Sequence, residues 1–241
     1  INMSFQVIAE FEKEIASFFG ASYGVAVDCC THALELCLRY TDAEHISVPA
    51  NTYISVPFLA KKLNIDMSWR EEEWVDYYSL TEKVIDAAVL WKENSYVPGK
   101  FMCISFQFRK HLNLGRGGMI LIDDIEAKTE LKKMSYDGRS PDIPWREQNI
   151  SSIGYHYYMT PETATMGLEK LDKAINTQPK EWSVGEWPDL RKMDVFKDQK
   201  KKSKNQLQQL ANMNQQMGYN PTTGMGIMGS LNYNTIGAGA D

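Results

Sequence analysis

One lysine stands out in the stretch SFQFRKHLNLGRGGMILID, residues 105 to 123. Lys110 leaves an apolar run, FMCISF at 101 to 106, and precedes a turn that contains Gly115, Gly117 and Gly118. A second apolar run, MILID at 119 to 123, follows, and both have the length of buried strands. The glycines let the backbone crowd a bound ligand. A primary amine held at a strand end beside such a loop is partly desolvated, which lowers its pKa and makes it a nucleophile toward an aldehyde. A carboxylate sits at the end of another apolar run, Asp86 in VIDAA. An aspartate there either caps the next element or holds a proton on the nitrogen of an aromatic heterocycle.

An amine for an aldehyde and a carboxylate for a pyridinium nitrogen are two of the four demands of pyridoxal phosphate, with an anion site and a surface for the ring as the others. In VDCCTHAL, 27 to 34, a strand turns into a helix. Thr31 lies at the start of that helix, where free amides and the positive dipole end attract anions.

Five stretches, in order along the chain, resemble motifs of the DegT/DnrJ/EryC1/StrS aminotransferases, the sugar aminotransferases of fold type I. Ser105, Phe106, Lys110, Gly115, Gly117 and Gly118 are in register with that family's SF, three variable residues, K and GEGG-like turn, with Arg116 replacing the glutamate. VIDAA resembles IEDAA, and VDCCTHAL resembles VSSGTAAL with Cys30 in place of the glycine. PANTYIS resembles PxxTF or PxxTY, and GYHYYMTPETATMGLEKL, 154 to 171, resembles GFNYRMTDIQAALGLAQL. The resemblance implies Lys110 as the cofactor-binding and catalytic lysine, Asp86 on the ring nitrogen, and Thr31 and Ser105 on the phosphate. Ser105 serves equally for local hydrogen bonding at a strand end. Tyr53 is implied as the stacking aromatic, although core packing accounts for it equally. His156 stands where relatives use an asparagine to reach the phosphate of the partner subunit, which implies a homodimer. A histidine that is simply exposed or packed is the alternative. The implied reaction moves an amino group from an amino acid, glutamate or glutamine, to a keto group on a nucleotide-linked sugar.

These groups need a scaffold. Ile8, Phe11, Ile15, Phe18 and Phe19 recur at helical spacing over residues 4 to 20. GVAVD, HISVP, IDMSW, KVIDAA, FMCISF and MILID read as strands, with helices at 31 to 40, after PANTY, and over DIEAKTELKKM. Thr160 and Pro161 open a helix that runs to about residue 175. The expectation is an α/β fold, a mostly parallel sheet sandwiched by helices with ligands at the carboxyl ends of its strands. By resemblance it is the large domain of a fold type I transferase, reduced in size. About one βα unit is missing between IDMSW and KVIDAA, as is most of a carboxyl-terminal small domain. The expected divisions are a cofactor-binding domain over 1–150, a small-domain remnant over 151–198, and a flexible tail over 199–241. That tail, rich in Gln, Asn, Met and Gly, has too few large apolar residues for a core, and a transient helix is expected at 205 to 217.

The bulk properties are those of a globular protein: 241 residues, 43% hydrophobic and 24% charged, with a formal net charge of −5. There is no basic excess for nucleic acid and no apolar run of the roughly 18 to 20 residues that a membrane span requires. INMSFQ has neither the basic nor the apolar region of a signal peptide, so a cytoplasmic location is expected, and the missing initiator Met fits a fragment or a trimmed end. Cys29, Cys30, Cys37 and Cys103 lack paired CxxC spacing and read as reduced thiols. The four histidines show no ligand spacing, and no metal site is expected. The competing functional class is an inactive or repurposed scaffold that presents the polar tail to a partner or to its own copies.

Overall fold

The computed structural model of the chain describes residues 3–182, 184–197 and 212. The first helix, α1 (Met3–Phe19), buries Ile8, Phe11, Ile15 and Phe19, and the chain leaves it at Gly20 with a φ of 78°. The series continues with β1 (Tyr23–Val27), α2 (Cys30–Tyr40), β2 (His45–Pro49), α3 (Ser55–Leu63), β3 (Asp66–Arg70), β4 (Tyr78–Ser79) and β5 (Val84–Asp86). It closes with β6 (Phe101–Ser105), β7 (Gly118–Ile122), α4 (Ile125–Ser135) and α5 (Pro161–Ile175). Two helix starts carry the caps that their sequences call for. Asp124 accepts from the amides of Glu126 and Ala127, and Thr160 accepts from that of Thr163, with Pro161 in the first turn.

Five strands form one sheet in the order β1-β7-β6-β5-β4, and β2 pairs with β3 in a second, parallel pair. The α/β class is as expected, but the larger sheet is mixed. β5 and β6 run parallel, whereas β7 is antiparallel to both β1 and β6, and β4 is antiparallel to β5. The reason lies in the connections. The segment joining β6 to β7 is a turn without a crossover helix, and a parallel partner would need one.

Helices cover both faces of the sheet, so its strands are apolar throughout rather than alternating with polar residues. Phe101 and Cys103 of β6 and Ile120 and Ile122 of β7 pack with α2, α3 and α4. Met102, Ile104, Met119 and Leu121 pack on the other face with α1 and α5. Burial of these side chains, at about 1.5–3 kcal/mol for each large one, is what holds the layers together.

Two buried carboxylates tie elements together inside the fold. Glu12 of α1 accepts from the Ala26 amide of β1 at 2.8 Å and from Lys132 of α4 at 2.7 Å, while burial pushes its pKa up. Glu35 of α2 accepts from Arg39 at 2.9 Å and from Lys62 of α3 at 2.6 Å.

The chain divides after Leu190, not at the 150/151 boundary drawn from sequence. Within the first unit α5 lies directly on α1, where a Cβ added to Gly167 would come within 2.5 Å of the Phe11 ring. Residues 151–190 therefore pack with the α/β core rather than as a separate remnant. Beyond Leu190 the described residues include a short helix, Asp194–Lys197. The proposed tail at 199–241 and its helix at 205–217 lie outside the described residues, apart from position 212.

Candidate functional site

The turns that follow β1, β5 and β6 open on a cavity of about 420 Å³. Five of the six residues singled out from sequence line it: Thr31, Tyr53, Asp86, Ser105 and Lys110. They come from four separate segments of the chain. His156 is not among them. It is an exposed side chain hydrogen-bonded to Asp137 at 3.1 Å.

Asp86 ends β5 and is 5% exposed. Its Oδ2 accepts from the Tyr78 hydroxyl at 2.5 Å, and its Oδ1 accepts from the Ala88 amide at 3.0 Å. Thr52 hydrogen-bonds the same tyrosine oxygen at 2.5 Å, so a Thr52–Tyr78 pair from two other segments fixes the carboxylate. Burial raises the Asp86 pKa against the opposing pull of Tyr78, Ala88 and Lys110.

Lys110 sits in the turn after β6, with its amide bonded to the Gln107 carbonyl at 2.8 Å. Burial lowers its pKa, helped by Arg109 and Lys180, while Cys30 and Asp86 act in the other direction. The ammonium lies 4.5 Å from the centre of the Trp182 ring and 5.8 Å from that of Trp187. The result is an amine that loses its proton more readily than an exposed lysine and whose field reaches a buried carboxylate in the same cavity.

At the start of α2 the Thr31 hydroxyl is 2.7 Å from that of Ser55, which opens α3. Ser105, the last residue of β6, is 9% exposed and accepts from the Gln107 amide at 3.3 Å. Three hydroxyls and a helix amino terminus in the lining of one cavity supply an anion-accepting end. Gly118 permits this arrangement, because a Cβ there would fall 2.6 Å from the backbone between Cys29 and Cys30. Tyr53 is 49% exposed and meets Trp187 edge to face at 6.0 Å. It belongs to the cavity wall rather than to the core.

The structure also shows what the sequence concealed. Arg116, which puts a positive charge where the family motif has a negative one, pairs with Asp28 at 2.8 Å, and Asp28 in turn binds His32 at 2.6 Å. Asp28, which stands at a serine of the family's VSSGTAAL motif, thus balances the charge that Arg116 brings. Asp28, Cys29 and His32 bring their candidate ligand atoms within 4.8 Å of one another, a grouping that no His or Cys spacing announced. Asp28 is already engaged by two cationic partners. Tyr78, Ser55, Trp182 and Trp187 were missed as well. Ser55 stands two residues after Tyr53 in PANTYIS and was open to notice, whereas nothing local to the tryptophans signals a cavity wall.

The DegT/DnrJ/EryC1/StrS aminotransferase family model matches residues 2–89 and 97–235. The chain belongs to the DegT/DnrJ/EryC1/StrS aminotransferase family. A curated relative, the spore coat polysaccharide biosynthesis protein SpsC of Bacillus subtilis (strain 168), is 27% identical over 225 residues. The match covers 71% of this chain and 58% of SpsC, so the chain spans little more than half the length of that relative. Among solved structures, AtS13 from Actinomadura melliaura superposes with a TM-score of 0.60 at 19% identity, covering 70% of this chain and 60% of that one. The sugar aminotransferase CalS13 from Micromonospora echinospora gives 0.61 at 13% identity, covering 70% and 61%. These likenesses establish the fold type I architecture.

The cofactor of this family is pyridoxal phosphate, and the donor set of the cavity fits it. Lys110 would hold the aldehyde carbon, Asp86 the ring nitrogen, and Thr31, Ser55 and Ser105 the phosphate, with Tyr53 on the wall beside them.

Proposed function

We propose that this chain carries the cofactor site of a sugar aminotransferase, moving an amino group from an amino acid, glutamate or glutamine, to the keto group of a nucleotide-linked sugar. The observation that supports the reading most is the meeting of Lys110 and Asp86 in one cavity, from turns 24 positions apart in sequence. When bound, pyridoxal phosphate supplies an aldehyde that captures amines and a ring that makes the adjoining C–H bond acidic. The protein supplies the rest. Lys110 Nζ, its pKa lowered by burial, provides a neutral amine and then carries a proton to and from the substrate carbon. Asp86, pinned by Tyr78, keeps a proton on the ring nitrogen. The wall of Trp182 and Trp187 keeps bulk water from the amine.

The reading extends to a homodimer, with His156 serving the partner's site rather than its own. Its exposure and its distance from the cavity of its own chain suit that role. The proposed location is the cytoplasm. Among the described residues no helix is long and apolar enough to cross a membrane.

The test is direct. Pyridoxal phosphate added to the purified chain should produce an absorbance band near the visible edge that borohydride fixes to the protein, and Lys110→Ala should abolish the fixed adduct. A wild-type protein that stays colourless sinks the reading.

A further inference from the structure

Three of the four cysteines are buried, Cys37 and Cys103 at 0% exposure and Cys30 at 7%. Burial pushes the Cys30 and Cys103 thiols well up, which makes them poor nucleophiles. Cys29 is different. It is partly exposed, lines the cavity of Lys110, and stands at the N-cap of α2 without a side-chain cap hydrogen bond.

Its neighbours are charged and held in place. Asp28, Cys29 and His32 bring one ligand atom each within 4.8 Å of one another, and the Arg116 guanidinium donates to Cys29 Sγ at 3.9 Å. The His32 ring is stacked on Tyr157 at 3.6 Å and 11° and bonded to one Asp28 oxygen at 2.6 Å. Arg116 reaches the other oxygen of that carboxylate at 2.8 Å. Burial disfavours the imidazolium, yet the hydrogen bonds and charges of Asp28 and Cys29 outweigh it, so His32 stays charged through neutral pH. One carboxylate thus serves two cations, and the sulfur beside them is placed to meet the positive charge left over. Reactive cysteines occupy such electropositive, partly exposed positions.

We propose that Cys29 is a modification site that undergoes thiol–disulfide exchange with a low-molecular-weight disulfide, and that the resulting adduct closes the anion-accepting end of the cavity. The Cys29 thiolate attacks one sulfur of the disulfide, a new S–S bond forms as the old one breaks, and the other half leaves as a thiolate. Cys29 is oxidised and the departing half is reduced, while the thiol proton goes to solvent. His32 and Arg116 face the anionic sulfur, and Asp28 positions both. The adduct stands just before Thr31, at the helix start where the cofactor phosphate is placed. The closure rests on the cofactor reading, and the exchange does not.

The probe is dithiobis-nitrobenzoate, a small disulfide that releases a coloured thiol, mixed with the full 241-residue chain free of pyridoxal phosphate. One thiol per chain should react in a fast phase, and Cys29→Ser should remove that phase. The three buried thiols should react only on denaturation. His32→Gln and Arg116→Gln should each slow the fast phase about threefold to tenfold without changing its amplitude, which separates the effect of charge from that of access. Modified wild-type chain should no longer capture borohydride-fixed pyridoxal phosphate, and dithiothreitol should restore the capture. A fast phase that survives Cys29→Ser, or a rate unmoved by both cation variants, overturns the exchange site. A modified chain that still captures the cofactor overturns the closure. Should the untreated wild type capture no cofactor, the aminotransferase reading fails, and the fast phase with its variants still decides the chemistry of Cys29. Should His32→Gln fail to fold, Arg116→Gln reads the same effect from a side chain that is 66% exposed.

Discussion

At the scale of single residues, the site is a set of charges whose values depend on their neighbours. His32 shows this most clearly. Burial alone would pull its imidazolium down, but the hydrogen bonds and charges of Asp28 and Cys29 prevail and push its pKa from 6.5 up to about 9. A group whose folded pKa is raised contributes stability in full below the unfolded value and loses it as pH rises through the folded one. The His32–Asp28 pair should therefore weaken the fold progressively between about pH 6.5 and 9. Partial exposure of both side chains keeps the effect small. An NMR titration should find one imidazole with a pKa near 9, and Asp28→Asn should bring it back toward 6.5 and flatten the pH dependence of melting. A titration near 6.5 in the wild type would show that the pair does not form. That Lys110, Asp86 and Thr31 share a cavity was legible in the sequence because each stands in or beside a turn that ends or opens a regular element, where turn chemistry is written locally. Tyr78 was not, because its partner lies eight positions away across an antiparallel ladder only two residues long.

At the scale of elements, close approach between β7 and the start of α2 shapes the anion-accepting end. Gly118→Ala would drive a methyl group into the backbone of Cys29 and Cys30, and backbone cannot swing aside as a side chain does. The expected loss is about 1–3 kcal/mol, read from denaturant midpoints. Cofactor affinity should fall with it, since the helix start that lines the cavity must move. Gly118→Ala with normal cofactor affinity would mean that the turn at 29 to 31 does not hold the phosphate. Helices α2, α4 and α5 and most strands were readable from periodicity and caps. The direction of β7 was not, because strand direction is set by the connection and an apolar run looks the same either way.

At the scale of the whole molecule, the arrangement of layers was visible in the sequence and the division of the chain was not. A long run of alternating elements announces an α/β core, but α5 reads the same whether it packs on its own core or on a separate lobe. Gly167 meeting Phe11 decides the matter in favour of the core, a contact between positions 156 residues apart. The placement of β7 bears on how the chain is made. β1 is synthesised early, but its ladder partner in the sheet is β7, at 118–122. On a ribosome β1 must therefore wait, its edge unsatisfied, until the chain through residue 122 has emerged. Nascent chains arrested just before position 118 should be protease-sensitive, and those arrested far enough beyond 122 for β7 to clear the exit tunnel should gain resistance in the amino-terminal third.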